Sequence, residues 1–122
     1  MAGRKPAKDY AALYPGWPDI DLKTVTDPLD HRVLQLFHLV RDDFEARTKR
    51  GEIKSTKEYS RFLELPSAVV HNLLHGKTIP TVETIVRIEN KVHHSIFPPY
   101  DKSLMHEVHK QELRANKKNP QL

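Results

Sequence analysis

The chain has 122 residues, of which 38% are hydrophobic and 30% charged, with no cysteine, a net charge of +4 and a sequence pI near 9.4. This composition suits one small globular domain with tails, and it excludes disulfides and thiolate metal sites. No apolar run is long enough for a transmembrane helix, and the basic start MAGRKPAKDY leads into no apolar signal core, so a cytoplasmic protein is expected.

The positive charge is clustered. Arg47, Lys49, Arg50, Lys54 and Lys57 fall within eleven residues and face only Glu52, while Arg4, Lys5 and Lys8 precede the first acidic residue. Clustered basic residues are the electrostatic footprint of a polyanion binder.

Residues 1–26 contain Pro6, Pro15, Pro18, Gly3 and Gly16, which argues against a long regular element. A short helix from Pro6 to Tyr14 is compatible with Tyr10, Leu13 and Tyr14 on one face, and Pro15-Gly16 would stop it. With Trp17, Ile20 and Leu22, this segment reads as a strap over a core or as a segment for a protein partner.

A helix over 28–49 is predicted next. Asp27 is an N-cap residue, Pro28 suits the first helical position, and Asp30 places an anion in the first turn. Val33, Leu36, Phe37, Val40 and Phe44 recur at helical spacing, and Gly51 can supply a left-handed stop. Ser55 and Glu58 form a capping-box pattern for a helix to Leu63, with Tyr59, Phe62 and Leu63 facing inward. Leu65 reads as the apolar plug of a turn and Pro66 as the first residue of a helix that reaches His75 and stops at Gly76. Val70, Leu73 and Leu74 are its expected buried face.

Thr81 is positioned to cap a further helix, on which Val82, Ile85, Val86, Ile88 and Val92 make a broad apolar face. Ile96 and Phe97 are expected to close the core. A last helix from Ser103, as cap, to about Asn116 carries Leu104, Met105, Val108 and Leu113 as a thin stripe. No strand-like alternation and no repeat occurs, so the expected fold is all-α: an arm or strap over 1–26, a compact domain over 27–98, and a C-terminal helix and tail over 99–122.

The residues from Ser55 to Val92 resemble the helix-turn-helix domain of the lambda-repressor/Cro (XRE-like) type. The resemblance rests on Ser55-Thr56-Lys57-Glu58, Leu65-Pro66-Ser67, Val70 and Leu73, Gly76-Lys77, Pro80-Thr81-Val82-Glu83-Thr84, and Ile85, Arg87 and Ile88. It extends loosely to the helix before, giving a five-helix domain. Three positions depart from the family's pattern: Ser60 stands where a small residue, often Ala, is usual, Glu64 where Gly is usual in the turn, and Leu74 where an acidic residue is frequent. Without Gly, position 64 must take a positive φ or the turn must shift.

The resemblance implies that the helix over 66–75 enters the major groove of double-stranded DNA. Base-edge contacts then fall to Ser67, Ala68, Val69, His71 and Asn72. Among these Asn72 can pair bidentately with adenine, whereas Ala68 and Val69 can meet only thymine methyls. Phosphate contacts fall to Lys54, Thr56, Lys57, Lys77 and Thr78, with the helix start at Thr56 and Lys57 offering free amides. Arg4, Lys5 and Lys8 resemble a minor-groove arm. A homodimer through Ile96, Phe97 and the helix after Ser103 is the expected assembly.

Eight histidines raise the question of a metal. His71 and His75 stand at i, i+4 and His106 and His109 at i, i+3, but neither pair has the glutamate and spacing of a zincin, and no thiolate is present. No catalytic triad pattern or phosphate-cradling glycine loop occurs, so neither an enzyme nor a cofactor is expected. About 25 residues follow Phe97, which leaves no room for a ligand-sensing domain, and no small-molecule ligand is expected. The sequence thus points to a phage-type repressor acting at an operator. The alternative is a helix-turn-helix antitoxin whose Tyr10–Leu22 segment or last helix binds a toxin; a third reading is a helical interaction module without DNA binding.

Overall fold

The computed structural model describes residues 8–118, and among them it shows α-helices, one 3₁₀ turn and no strand. In chain order these are α1 (Tyr10–Leu13), the 3₁₀ turn Leu22–Thr24, α2 (Pro28–Lys49), α3 (Thr56–Leu63), α4 (Ser67–Leu74), α5 (Val82–Val92) and α6 (Lys102–Lys118). The all-α expectation holds, and α1 falls within the Pro6–Tyr14 stretch compatible with a short helix before the five others.

The long helix α2 is the central post. The Asp27 carboxylate accepts from the Asp30 amide at 2.9 Å and Pro28 opens the first turn, as the sequence predicts. Its inward stripe buries Val33, Leu34, Leu36, Phe37 and Val40, and α4, α6 and the 3₁₀ turn pack against it. Helix α3 packs on both α4 and α5. Tyr10 and Val25 are buried in the same cluster as Phe37, Leu73 and Ile88, so the N-terminal strap and the helices share one core. On α6, Met105 and Val108 are buried.

Three helix ends are built alike. At each, a left-handed residue lets two successive amides fold back onto the last turn. Gly51 (φ +78°) does so for α2, with the Glu52 amide on the Arg47 carbonyl at 3.0 Å. Gly76 (φ +63°) does so for α4, with the Lys77 amide on the Asn72 carbonyl at 2.9 Å. Glu64 takes the same conformation without being glycine, at φ 57° and ψ 42°, with the Leu65 amide on the Ser60 carbonyl at 3.1 Å. The turn therefore does not shift; Glu64 accepts the positive φ, and its carboxylate pairs with Lys91 on α5. That pair holds the Glu64 carboxyl below its ordinary range, chiefly through the hydrogen bond from Lys91.

Replacing Glu64 by glycine should stabilise the fold, because the steric cost of the left-handed residue exceeds the worth of an exposed ion pair. Urea unfolding would measure it, and a destabilised Glu64→Gly protein would show that the Lys91 bridge matters more than the backbone.

Five local expectations are corrected. Pro66 is not the first helical residue of α4 but its cap, in extended geometry, with its carbonyl accepting the Val69 and Val70 amides. The capping box at α3 is half formed: Ser55 Oγ accepts the Glu58 amide at 3.1 Å, without a return bond from the Glu58 side chain among the described residues. Helix α6 starts at Lys102 and its cap is Asp101, whose carboxylate accepts the Leu104 amide at 3.0 Å, so Ser103 lies inside the helix. The apolar face of α5 is narrower than its pattern, since Ile85, Ile88 and Val92 are buried while Val82 and Val86 are exposed. Ile96 is fully buried and Phe97 is half exposed, so one residue of that pair closes the core.

Candidate nucleic-acid interface

Helix α4 is held at its back and at its end. Val70, Leu73 and Leu74 are buried, which turns the opposite side of the helix outward. At its C-terminus the Leu74 carbonyl accepts from two side chains, Trp17 Nε1 at 3.2 Å and Arg41 Nη1 at 3.1 Å. The Lys77 carbonyl accepts the Tyr10 amide at 2.8 Å. The Trp17 indole lies against Gly76, packs edge-on to Phe37 at 5.8 Å, and sits 4.6 Å from the His38 ring. Residues of the strap thus fix where α4 ends, a role that no local pattern in the strap reveals.

The five candidate base readers do not share one arc. Ser67, Ala68 and His71 are exposed. Val69 and Asn72 are half-buried; they line a shallow pocket of about 160 Å³ with Thr78, Thr81 and Thr84, and Val69 packs partly on the core. The outward row is Ser67, His71 and His75, four residues apart, and His75 was absent from the sequence-derived set. Its ring lies tilted against that of His71, with centroids 4.1 Å apart. Burial lowers the His75 pKa, and the nearby positive groups of His71, Lys77 and Arg41 lower it further. The signal that could have found it was the i, i+4 spacing from His71.

Two helix starts leave amides without an acceptor among the described residues. Pro66 caps α4 with no side-chain bond, so the Ser67 and Ala68 amides are left to the exterior. At α3, Ser55 serves the Glu58 amide, leaving the amides of Thr56 and Lys57 without an acceptor among the described residues. Free amides with the helix dipole behind them suit an anion. Lys54 and Lys57 are exposed, and Arg61, four residues beyond Lys57 and also exposed, extends that side of α3. Thr56, Lys77 and Thr78 are half-buried. Glu64 and Glu83, which flank α4 in sequence, are paired with Lys91 and Arg87.

The arm residues divide. Arg4 and Lys5 lie outside the described residues. Lys8 is not a free arm residue: its ammonium bonds the carboxylate of Asp30, which also accepts from Tyr14 Oη at 2.6 Å. That hydrogen bond raises the Lys8 pKa and makes Lys8 an anchor of the strap.

A second polar cluster was not foreseen. Asp43 on α2 is buried and accepts from Tyr59 Oη at 2.7 Å, Arg47 Nε at 2.9 Å and His94 Nε2 at 3.0 Å. Burial pushes the Asp43 carboxyl up, but the bonds from His94, Tyr59 and Arg47 more than offset it and hold the pKa below its ordinary value. The bond to Asp43 raises the pKa of His94, whose other ring nitrogen faces the Ser95 carbonyl at 3.2 Å. With acceptors on both nitrogens the imidazolium is favoured, and no nucleophile stands at either. The cluster joins α2, α3 and the turn after α5.

Among the described residues, no group of three or more metal-ligating side chains is arranged around a common point, and no helix is long and apolar enough to cross a membrane. No protein-family model, no curated protein and no solved structure matches the chain.

Proposed function

We propose that the chain is a sequence-specific double-stranded DNA-binding repressor of the helix-turn-helix kind, with α4 as the helix that enters the major groove. The observation that carries this reading is the placement of α4: buried on one side by Val70, Leu73 and Leu74, clamped at its end, and presenting Ser67, Ala68 and His71 outward with no side-chain bond to the amides at its start. Such a helix can approach base edges while the amides of Thr56 and Lys57, with Lys54, Lys57 and Lys77, take the flanking phosphates. Lys54, Lys57 and Arg61 add the long-range attraction that this needs. Binding at an operator would block polymerase by occupancy.

Two of the proposed roles differ from the sequence-derived ones. Asn72, being partly buried, reads a base only at the rim of the pocket it lines with Thr78. Ile96, being fully buried, is no dimer contact; Phe97 and the exposed side of α6 are what remain of that surface.

Fluorescence anisotropy on DNA from around the chain's own gene tests the reading across a salt series. Affinity should fall steeply with salt. Asn72→Ala should lose about 1–3 kcal/mol of specific affinity and leave non-specific binding nearly intact, while Lys77→Ala should weaken all sequences alike and reduce the salt slope by about one. Absence of binding at low salt would remove the DNA reading altogether.

A further inference from the structure

A groove of about 450 Å³ runs between the start of α2, the α4–α5 link and the start of α6. Its size is within the range of small-molecule sites, roughly 300–1,000 Å³. Leu29, Ile79, Phe97 and Tyr100, each more than half exposed, form its rim, while Val33 and Met105 lie deeper. Four large apolar side chains left to water around one concavity mark a surface that gains by being covered.

The lining contains no carboxylate; its charge comes from Arg32, with His109 at the border paired to Glu112 at 3.4 Å. Arg32 Nη2 donates to the Pro98 carbonyl at 2.9 Å, and its guanidinium lies 5.7 Å from the Phe97 ring and 5.2 Å from the Tyr100 ring. Its Nε is buried and meets no acceptor, and no carboxylate pairs with it among the described residues. A covered guanidinium donor without an acceptor is costly, and the fork of Nε and Nη is the geometry that takes a carboxylate at two points.

We propose that this groove binds a small apolar carboxylate, an alkyl or aryl carboxylic acid, with its apolar body against Leu29, Val33 and Met105 and its carboxylate on Arg32. On this proposal the exposed Tyr100 ring, 5.2 Å from the Arg32 guanidinium, turns aside as the carboxylate arrives. The expectation of no small-molecule ligand rested on the lack of room for a second domain; the groove lies within the single core.

Isothermal titration calorimetry of the full chain with decanoate, in the absence of DNA, tests this, with decanol as the uncharged counterpart. Decanoate should bind at one site roughly tenfold or more tightly than decanol. Leu29→Glu places a like charge on an exposed rim position and should abolish decanoate binding while the far-ultraviolet circular dichroism stays that of the parent. Arg32→Gln should weaken decanoate roughly tenfold and leave decanol unchanged; the Leu29→Glu arm is independent of the Pro98 bond that Arg32→Gln also removes. No heat with millimolar decanoate, equal binding of decanol, or decanoate binding that survives Leu29→Glu would overturn the proposal. So would a chain that sediments as a dimer, becomes a monomer in Leu29→Glu and takes up no decanoate, because a second copy would then fill the groove. None of these results bears on the DNA reading.

Discussion

Gly76→Ala should cost about 2–4 kcal/mol of stability, far more than the same change at Gly51. Both glycines have positive φ, so both carry the left-handed penalty of about 1–2 kcal/mol for an added Cβ. At Gly51 the new methyl would meet nothing within 4 Å. At Gly76 it would lie 2.9 Å from Cδ2 and Cε2 of Trp17, so the indole must move. Trp17 cannot move alone: its Nε1 holds the Leu74 carbonyl and its ring packs on Phe37. The clash is therefore passed to the end of α4 and to the core, where overpacking costs about 1–3 kcal/mol. Urea unfolding of the two variants measures the difference directly. Equal losses would mean that the indole is not the lid over Gly76. On the proposed reading, Gly76→Ala should also weaken DNA binding in the folded fraction, because the strap positions α4 through this contact.

Asp43→Ala should cost about 1–3 kcal/mol, since it leaves the Tyr59 hydroxyl without its buried acceptor and Arg47 with Glu52 alone. Tyr59→Phe removes one donor of three and should cost about 1–2 kcal/mol. The same cluster gives stability a defined pH dependence. The pKa of His94 is raised on folding, so its contribution is complete below the unfolded value near 6.5 and fades as pH rises through the folded value. That of Asp43 is lowered, so its contribution is present above about 3.9 and fades as pH falls through the folded value. His31 works against His94: it is buried, burial lowers its pKa, and it removes stability as pH falls below about 6.5. His75, whose pKa is also lowered, acts in the same sense as His31, so the parent's own pH curve mixes three histidines. The difference between the parent and His94→Gln isolates one of them, and should be largest near pH 5.5 and vanish in alkali. A difference that grows with pH would refute the Asp43–His94 pair.

Much of the helical layout was legible because its determinants are local. A cap such as Asp27, a stop such as Gly51 or Gly76, and a stripe such as Val70, Leu73 and Leu74 act within one or two turns, and each appears in the structure where its pattern places it. At Glu64 the resemblance leaves two outcomes open, a positive φ or a shifted turn, and the structure takes the first. The errors at Pro66 and Ser103 are slips of a boundary by one and two residues, where neighbouring residues compete for one cap. The α5 stripe misled for another reason: periodicity counts apolar residues on a face but not how much of that face a neighbour covers, and Val82 and Val86 lie beyond that cover.

For the candidate site, the outward direction of Ser67, Ala68 and His71 followed from the buried residues of the same helix, and this the sequence determined by itself. What holds α4 in place was decided by tertiary structure alone. Trp17 on the Leu74 carbonyl, Tyr10 on the Lys77 carbonyl and Lys8 on Asp30 join residues far apart in the chain. So do His94 on Asp43 and Arg32 on the Pro98 carbonyl. No spacing rule relates such residues, because their meeting depends on how the helices cross and not on the pitch of any one of them.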